Sequence, residues 1–431
     1  MKNTLQRYTD SPFIRNVFTL AAGSGLAQLI SVGISPVLSR LFTTDDFAVY
    51  AVFFSWMLVI AIAAALRLDT AIPLPASESE AIGLSRLAIK IALLVTLICL
   101  IVVVVLLLIY SDDAEKSIPG FYILLPITML TTVLMQVYNY LSTRWGSFRF
   151  NATSRVLTNI VIAGVSVVLG YLQWGPLGLI LGLLIGQTAG VAFMYFSMRK
   201  RIRETDIPEQ RERPILLLKK YSDFIWINTP HALLDTLQLA ATIWILDFYF
   251  EDKVVGWFFL SWRILKMPLT FIGSAVFQVF YSKASKEFNA GKNIQHSIGK
   301  IYGQMFLLGL PICLVLLAFG PALFAFVFGE EWRGAGEMSR ILSLWLFANF
   351  VVSPVSCIAM IAGKQKQAFL LAIIEHGSRL GLLAVGGWFG DLELALWLTT
   401  ISGVIMMLVM MYWYRSIADG SKSRRVVMDE L

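Results

Sequence analysis

The sequence predicts an all-α integral membrane protein. Twelve transmembrane helices form two six-helix bundles, related by an axis along the membrane normal around a central cleft. Three observations carry this. Of 431 residues, 57% are hydrophobic and 15% charged, and twelve spans of about 20 residues would occupy about 56% of such a chain. The apolar residues are gathered into long runs. The cations between those runs are sorted onto one side. A soluble enzyme of ordinary composition does not carry so little charge. An outer-membrane barrel alternates polar and apolar residues and never runs apolar for about 20 positions.

The runs lie at 17–38, 47–66, 87–110, 119–141, 156–173 and 176–197, then at 224–247, 254–280, 301–327, 336–361, 367–388 and 392–414. Gly175-Pro176 and Gly390-Asp391 mark very short turns between the fifth and sixth and the last two. The first run is too long for a cleaved signal peptide, has no small-x-small site and leads straight into another span. Twenty-seven of the 35 cations fall on the side of both termini, against five (Arg40, Lys116, Lys253, Arg333, Arg340) on the other. The positive-inside rule therefore expects both termini in the cytoplasm. Loop charge of this kind sets topology and meets anionic headgroups, so the net charge of +7 implies membrane-lipid contact and needs no nucleic-acid partner. Cys99, Cys313 and Cys357 all fall inside spans, without disulfide or metal-ligand spacing.

The longest hydrophilic stretch, rich in Lys and Arg, divides the chain. The expected organisation is a first bundle over 1–198, a basic cytoplasmic linker over 199–221, a second bundle over 222–414 and a cytoplasmic tail over 415–431. A weak repeat supports two halves. Leu41-Phe42-Thr43-Thr44-Asp45-Asp46 followed by Phe53-Phe54-Ser55-Trp56 is matched by Tyr249-Phe250-Glu251-Asp252 followed by Phe258-Phe259-Leu260-Ser261-Trp262. An even number of spans per half gives an axis along the membrane normal and a cleft suited to alternating access. Gly178, Gly182, Gly186 and Gly190 recur every four residues, which lets a neighbouring helix approach closely. Pro126, Pro230, Pro268, Pro311, Pro321 and Pro354 within spans free backbone carbonyls and permit kinks.

A charge facing lipid at the bilayer centre costs about 2.5–3.5 kcal/mol on insertion scales. Yet Asp235, Arg263, Lys266, Glu375 and Arg379 all fall near mid-span in the second half. Asn228, His231, Asp235, Gln238 and Thr242 follow at steps of three and four, a polar stripe on one helix face. Arg263, Lys266, Thr270, Ser274 and Gln278 make a second stripe, and Glu375, His376 and Arg379 a third. Such faces belong in a wet interior. One reading is a self-neutralised network that locks the bundle. The other starts from three cations against two carboxylates, a surplus that an anion such as phosphate or pyrophosphate would satisfy. His231 and His376 beside the carboxylates are candidates for a coupling proton. Arg67 at the end of the second span, followed by Asp69, is either an interfacial anchor or part of a cytoplasmic mouth.

Phe13-Ile14-Arg15-Asn16, Ser39-Arg40-Leu41-Phe42 with the acidic pair and Tyr50, and Arg67-Leu68-Asp69-Thr70-Ala71-Ile72 resemble the amino-terminal signature of Wzx-type oligosaccharide (O-antigen) flippases. These belong to the multidrug/oligosaccharidyl-lipid/polysaccharide exporter superfamily. Ala48 replaces the small Gly usual before the Tyr. The resemblance implies a multi-pass protein of the bacterial cell inner membrane that moves undecaprenyl-pyrophosphate-linked oligosaccharide to the periplasmic leaflet. It implies no bound cofactor, only a proton or sodium gradient, with polysaccharide polymerase and glycosyltransferases as partners. In that setting Arg263, Lys266, Arg379, Arg67, Asn228 and Gln238 are the expected substrate-binding residues, and Asp235, Glu375, His231 and His376 the ion-coupling ones. A multidrug cation antiporter of the same superfamily calls for a net acidic site, and a membrane glycan polymerase or ligase for a long periplasmic loop with catalytic Arg and His. Neither pattern is present in the sequence.

Overall fold

The computed structural model describes residues 23, 25–110, 119–205 and 213–418. The Phe13-Ile14-Arg15-Asn16 motif, most of the first apolar run before residue 25 and the centre of the basic linker lie outside them. Helix α1 is Gly25–Leu41, α2 Thr44–Ala65, α3 Leu68–Ala71, α4 Glu78–Ile109, α5 Leu125–Arg144, α6 Phe148–Tyr171 and α7 Pro176–Thr205. They are followed by α8 Pro214–Lys220, α9 Thr229–Tyr249, α10 Asp252–Pro268 and α11 Ser274–Asn289. The last five are α12 Gln295–Phe328, α13 Arg333–Val352, α14 Ile358–Ile361, α15 Gln365–Trp388 and α16 Leu392–Ser416. No β-strand occurs among the described residues.

Ten of the described helical segments are long and apolar enough to cross a membrane, so the chain is a multi-pass membrane protein. Two sequence-predicted spans stand apart from those ten. The first survives as α1, a shorter apolar helix. The eighth, read as one helix over 254–280, is instead α10, a π-helical turn over Leu269–Gly273, and α11. Pro268 ends α10, and a proline cannot donate to the helical ladder. The wider π turn follows at that break. A second π turn, Phe224–Asn228, leads into α9.

The helix starts follow local chemistry. Thr43 accepts from the Asp46 N–H at 3.1 Å while Asp46 accepts from the Thr43 N–H at 2.9 Å, a capping box that opens α2. Ser77 accepts from the Glu80 N–H and Asp391 from the Leu394 N–H, which caps α4 and α16. Gly175 and Gly390 hold positive φ at the two short turns, as their sequence predicts.

The chain divides into two compact units, Met1–Ala240 and Ala241–Leu431. In the first, α6 lies tightly on α7. A Cβ at Gly182 would overlap Ser166, one at Gly186 would overlap Ile162, and one at Gly190 would overlap Thr158, so the four-residue glycine spacing does what the sequence suggests. Arg144 fastens the segment before α4: its Nη1 donates to the carbonyls of Pro73 and Pro75 at 3.1 and 2.7 Å, and its Nη2 to Ser77 at 3.2 Å. The end of the basic stretch is also tied down here. Lys220 pairs with buried Glu80, and the Tyr221 hydroxyl donates to the same carboxylate at 2.8 Å.

In the second unit α12 packs on α13 and α15 on α16, with α13 central against α10 and α16. Gly320 and Gly336 bring α12 and α13 into backbone contact.

Candidate functional site

The second unit carries a line of charged and aromatic side chains inside an otherwise apolar bundle. The Lys266 ammonium on α10 stands 5.0 Å from the centroid of the Trp262 ring, one turn earlier. Trp262 stacks on Trp345 of α13 with centroids 5.7 Å apart and planes at 10°. Phe258 stacks on Trp262 at 6.0 Å. The guanidinium carbon of Arg379 on α15 lies 3.5 Å from the Trp345 centroid. Arg379 Nη1 donates to Glu375 Oε1 at 3.2 Å, and His376 Nδ1 lies 2.7 Å from Glu375 Oε2. The result is a cation–indole–indole–cation stack closed by a carboxylate.

Each member sits where its helix puts it. Trp262 and Lys266 are four apart on α10, and Glu375 and Arg379 four apart on α15, so each pair shares a helix face. Trp345 fits because Gly403 of α16 has no side chain. A Cβ there would overlap Trp345 Cδ1 and come within 2.8 Å of Nε1. Thr399 donates to the Arg379 carbonyl at 3.1 Å and Ser402 to Ser378 at 2.9 Å, fixing α16 beside α15. Neither tryptophan is singled out by polarity or charge in the sequence. The usable signal was the aromatic one turn before Lys266.

Burial separates the three cations. Arg379 is 5% exposed and Glu375 3% exposed, so this pair is enclosed with one compensating charge each. Arg263 is half-buried and Lys266 exposed on α10. Indole faces attract cations by about 0.5–2 kcal/mol, which favours Lys266 against Trp262. The sequence-nominated cations of this unit are Arg263, Lys266 and Arg379, and Glu375 is the carboxylate that Arg379 contacts. The side chains of Thr270 and Gln278, part of the expected stripe, lie outside the described residues.

The α9 stripe is graded. Asn228, His231 and Asp235 are exposed, while Gln238 and Thr242 are buried. His231 Nδ1 and Asp235 Oδ2 are 3.7 Å apart. These positions, apart from Thr242, belong to the first unit.

A second group of charges surrounds Arg67. Leu66 and Arg67 both adopt the left-handed conformation, with φ of 46° and 52°, between α2 and α3. Two adjacent non-glycine residues there hold backbone strain of about 1–3 kcal/mol each. Asp69 is fully buried, and neither carboxylate oxygen has a hydrogen-bond partner; Arg67 Nε also lacks one. Burial pushes the Asp69 carboxyl up from its ordinary value, and the nearby Arg67 guanidinium offsets only part of that. Tyr140 of α5 lies in the field of Asp69, Arg67 and Arg155. Asp69 itself escaped selection as a site residue in the sequence, because its neighbours suggest a loop end.

Among the described residues no group of His, Cys, Asp and Glu is arranged to hold a metal ion. Residues 37–337 match the family described as "Polysaccharide biosynthesis protein". No curated protein sequence matches the chain. Solved structures share its fold at low identity. A multidrug resistance MATE family transporter of the MOP superfamily, in an inward-facing conformation, superposes with a TM-score of 0.69 at 17% identity, covering 94% of this chain and 95% of that one. The lipid II flippase MurJ, in an inward closed conformation, gives 0.71 at 16% identity over 91% and 87%. A MOP superfamily transporter from Pyrococcus furiosus gives 0.60 at 18% identity over 94% and 96%.

Proposed function

Since the chain belongs to the polysaccharide biosynthesis protein family and has the fold of MOP-superfamily transporters, we propose that it is a flippase for a lipid-linked sugar. Its cargo is an undecaprenyl-pyrophosphate-linked oligosaccharide, an O-antigen or related surface polysaccharide repeat unit. It moves that cargo from the cytoplasmic to the periplasmic leaflet of the bacterial inner membrane by alternating access. Both termini face the cytoplasm, in keeping with the 27-to-5 division of cations. No bond is made or broken. Polysaccharide polymerase and glycosyltransferases act before and after it.

One observation carries the reading: Lys266 stands exposed on α10 against the Trp262 ring, and the Trp262–Trp345 stack leads from it to Arg379, in an otherwise apolar unit. Charges of this kind inside a membrane protein mark a substrate path. In the proposal Lys266 and Arg263 meet the pyrophosphate. Arg379, held by Glu375 and Trp345, adds positive field and keeps the indole stack in place. Arg67, Asn228 and Gln238 are the polar residues of the first unit assigned to cargo binding. Transport is driven by a proton or sodium gradient, taken up at Asp235 with His231 and at Glu375 with His376, where histidine lies against a carboxylate.

The test is surface-polysaccharide export in a deletion strain complemented with Arg263→Ala, Lys266→Ala or the double variant at equal membrane expression. Loss of long polymer with accumulation of lipid-linked repeat units is expected. Full polymer from the double variant would sink the anion site. A drug-susceptibility change on overexpression, with polymer unaffected, would instead favour a cation antiporter.

A further inference from the structure

A second site lies in the second unit, on the face of α12, α13 and α16, away from the indole stack's residues. It is an apolar groove of about 700 Å³. Gly299 and Gly303 form its floor on α12, and a Cβ at Gly303 would meet nothing within 4 Å. Its walls include Phe306, Ile405 and Leu408, which are 44%, 54% and 57% exposed. Large apolar side chains open to the surroundings on a membrane-spanning unit face hydrocarbon.

Three polar side chains break the pattern: Thr400 at the deep end, and Arg415 and Tyr302 toward the end of the groove that carries the chain's C-terminal segment. Arg415, in the last turn of α16, stands exposed at the mouth. Tyr302, 3% exposed, lines the groove, and its hydroxyl has no hydrogen-bond partner. A buried hydroxyl in that state costs free energy that a ligand acceptor would recover. Arg415 and Tyr302 are held in place: Gln295 donates to the Arg415 carbonyl at 3.0 Å, and the Ile294 N–H donates to Ala418 at 3.2 Å, tying the ends of α12 and α16.

We propose that this groove is a binding site for an anionic phospholipid, with its phosphate at Arg415, an ester carbonyl at the Tyr302 hydroxyl and one acyl chain along α16 toward Thr400. The dimensions match. Tyr302 is seven residues into α12, about 10 Å along its axis, and Thr400 to Arg415 spans about 22 Å. One leaflet with its headgroup region is about 20–22 Å deep, so the groove takes one lipid of that leaflet, headgroup included. Because bilayer lipid is as apolar as the groove walls, chain burial alone gives no preference. Selectivity therefore rests on the guanidinium at the mouth and the hydroxyl below it. A polyprenyl phosphate has no acceptor at the depth of Tyr302, whereas a diacyl phospholipid has its ester there. The Thr400 hydroxyl at the deep end, also unpartnered, gains nothing from an acyl chain, and the assignment rests on Tyr302 and Arg415. It is independent of the cargo proposed above.

The experiment is native mass spectrometry of the full-length protein in detergent, titrated with phosphatidylglycerol or phosphatidylcholine of identical chains. Inorganic phosphate serves as a headgroup-only control. The wild type is expected to retain phosphatidylglycerol about fivefold better than phosphatidylcholine, the preference one surface cation confers. Arg415→Gln brings that ratio to near one. Gly303→Leu, which projects into open space, lowers retention of both lipids, and Tyr302→Phe lowers both in proportion. Should Gly303→Leu not fold, Ile405→Trp fills the same groove from α16. Equal retention of both lipids by the wild type, no effect of filling the groove, or tighter retention of a polyprenyl phosphate than of phosphatidylglycerol would each overturn the assignment.

Discussion

Arg379 is gripped from two directions: its guanidinium carbon lies 3.5 Å from the Trp345 centroid, and its Nη1 donates to Glu375 at 3.2 Å. Both charges are buried, so each depends on the other for compensation. Arg379→Met or Glu375→Gln alone strands a buried charge and is expected to destabilise by about 3–5 kcal/mol. The double variant Glu375→Gln, Arg379→Met removes both charges and should cost less than the two single changes together. Thermal unfolding of the purified protein in detergent reads the difference, and strict additivity would show that the pair is uncoupled.

Gly403 is the counterpart of Trp345 on α16. Gly403→Ala forces a methyl into the indole and is expected to cost about 1–3 kcal/mol as an overpacked core. Gly381 on α15 is the control, because a Cβ there meets nothing within 4 Å. Gly381→Ala should be neutral or stabilising through helix propensity of up to about 1 kcal/mol. Comparable melting temperatures for the two variants would contradict the packing account.

The Asp69 carboxyl, raised by burial, makes stability pH-dependent with a definite sign. Between the ordinary carboxylate value and the raised one, the folded protein holds a proton that the unfolded chain has released. Stability is therefore full below the ordinary value and falls as pH rises through the raised one. Asp69→Asn, which cannot ionise, should melt above the wild type at neutral pH and converge with it in acid. A constant offset across pH would show that the carboxyl is not responsible.

Lys266 is held on Trp262, so the indole governs where the ammonium points. Trp262→Phe keeps an aromatic face and is expected to retain most polymer export in the complementation assay. Trp262→Leu removes it, and with it about 0.5–2 kcal/mol of cation attraction. The second variant should lose export more severely at equal expression. Equal export by both would separate Lys266 placement from the ring.

Much of the fold was legible because it is written in short-range pattern. The apolar runs mark the spans, Thr43 with Asp46 opens α2, and Gly175 and Gly390 turn the chain where positive φ is needed. The Glu375–Arg379 pair was legible too, since four residues make one helical turn. Lys220 was less so. In a stretch of cations it reads as a topology signal, yet it pairs with Glu80, 140 positions earlier in the chain.

By itself the sequence determined that this chain spans a membrane and where most of its long apolar helices run, because hydropathy and helical periodicity act over one or two turns. Only the tertiary structure decided that Trp345 of α13, Gly403 of α16 and Arg379 of α15 meet, that the eighth span breaks at a π turn, and that Asp69 is sealed away beside a strained Arg67. Those relationships join side chains from different helices. Helix packing selects them through close approach and excluded volume, which no local pattern encodes.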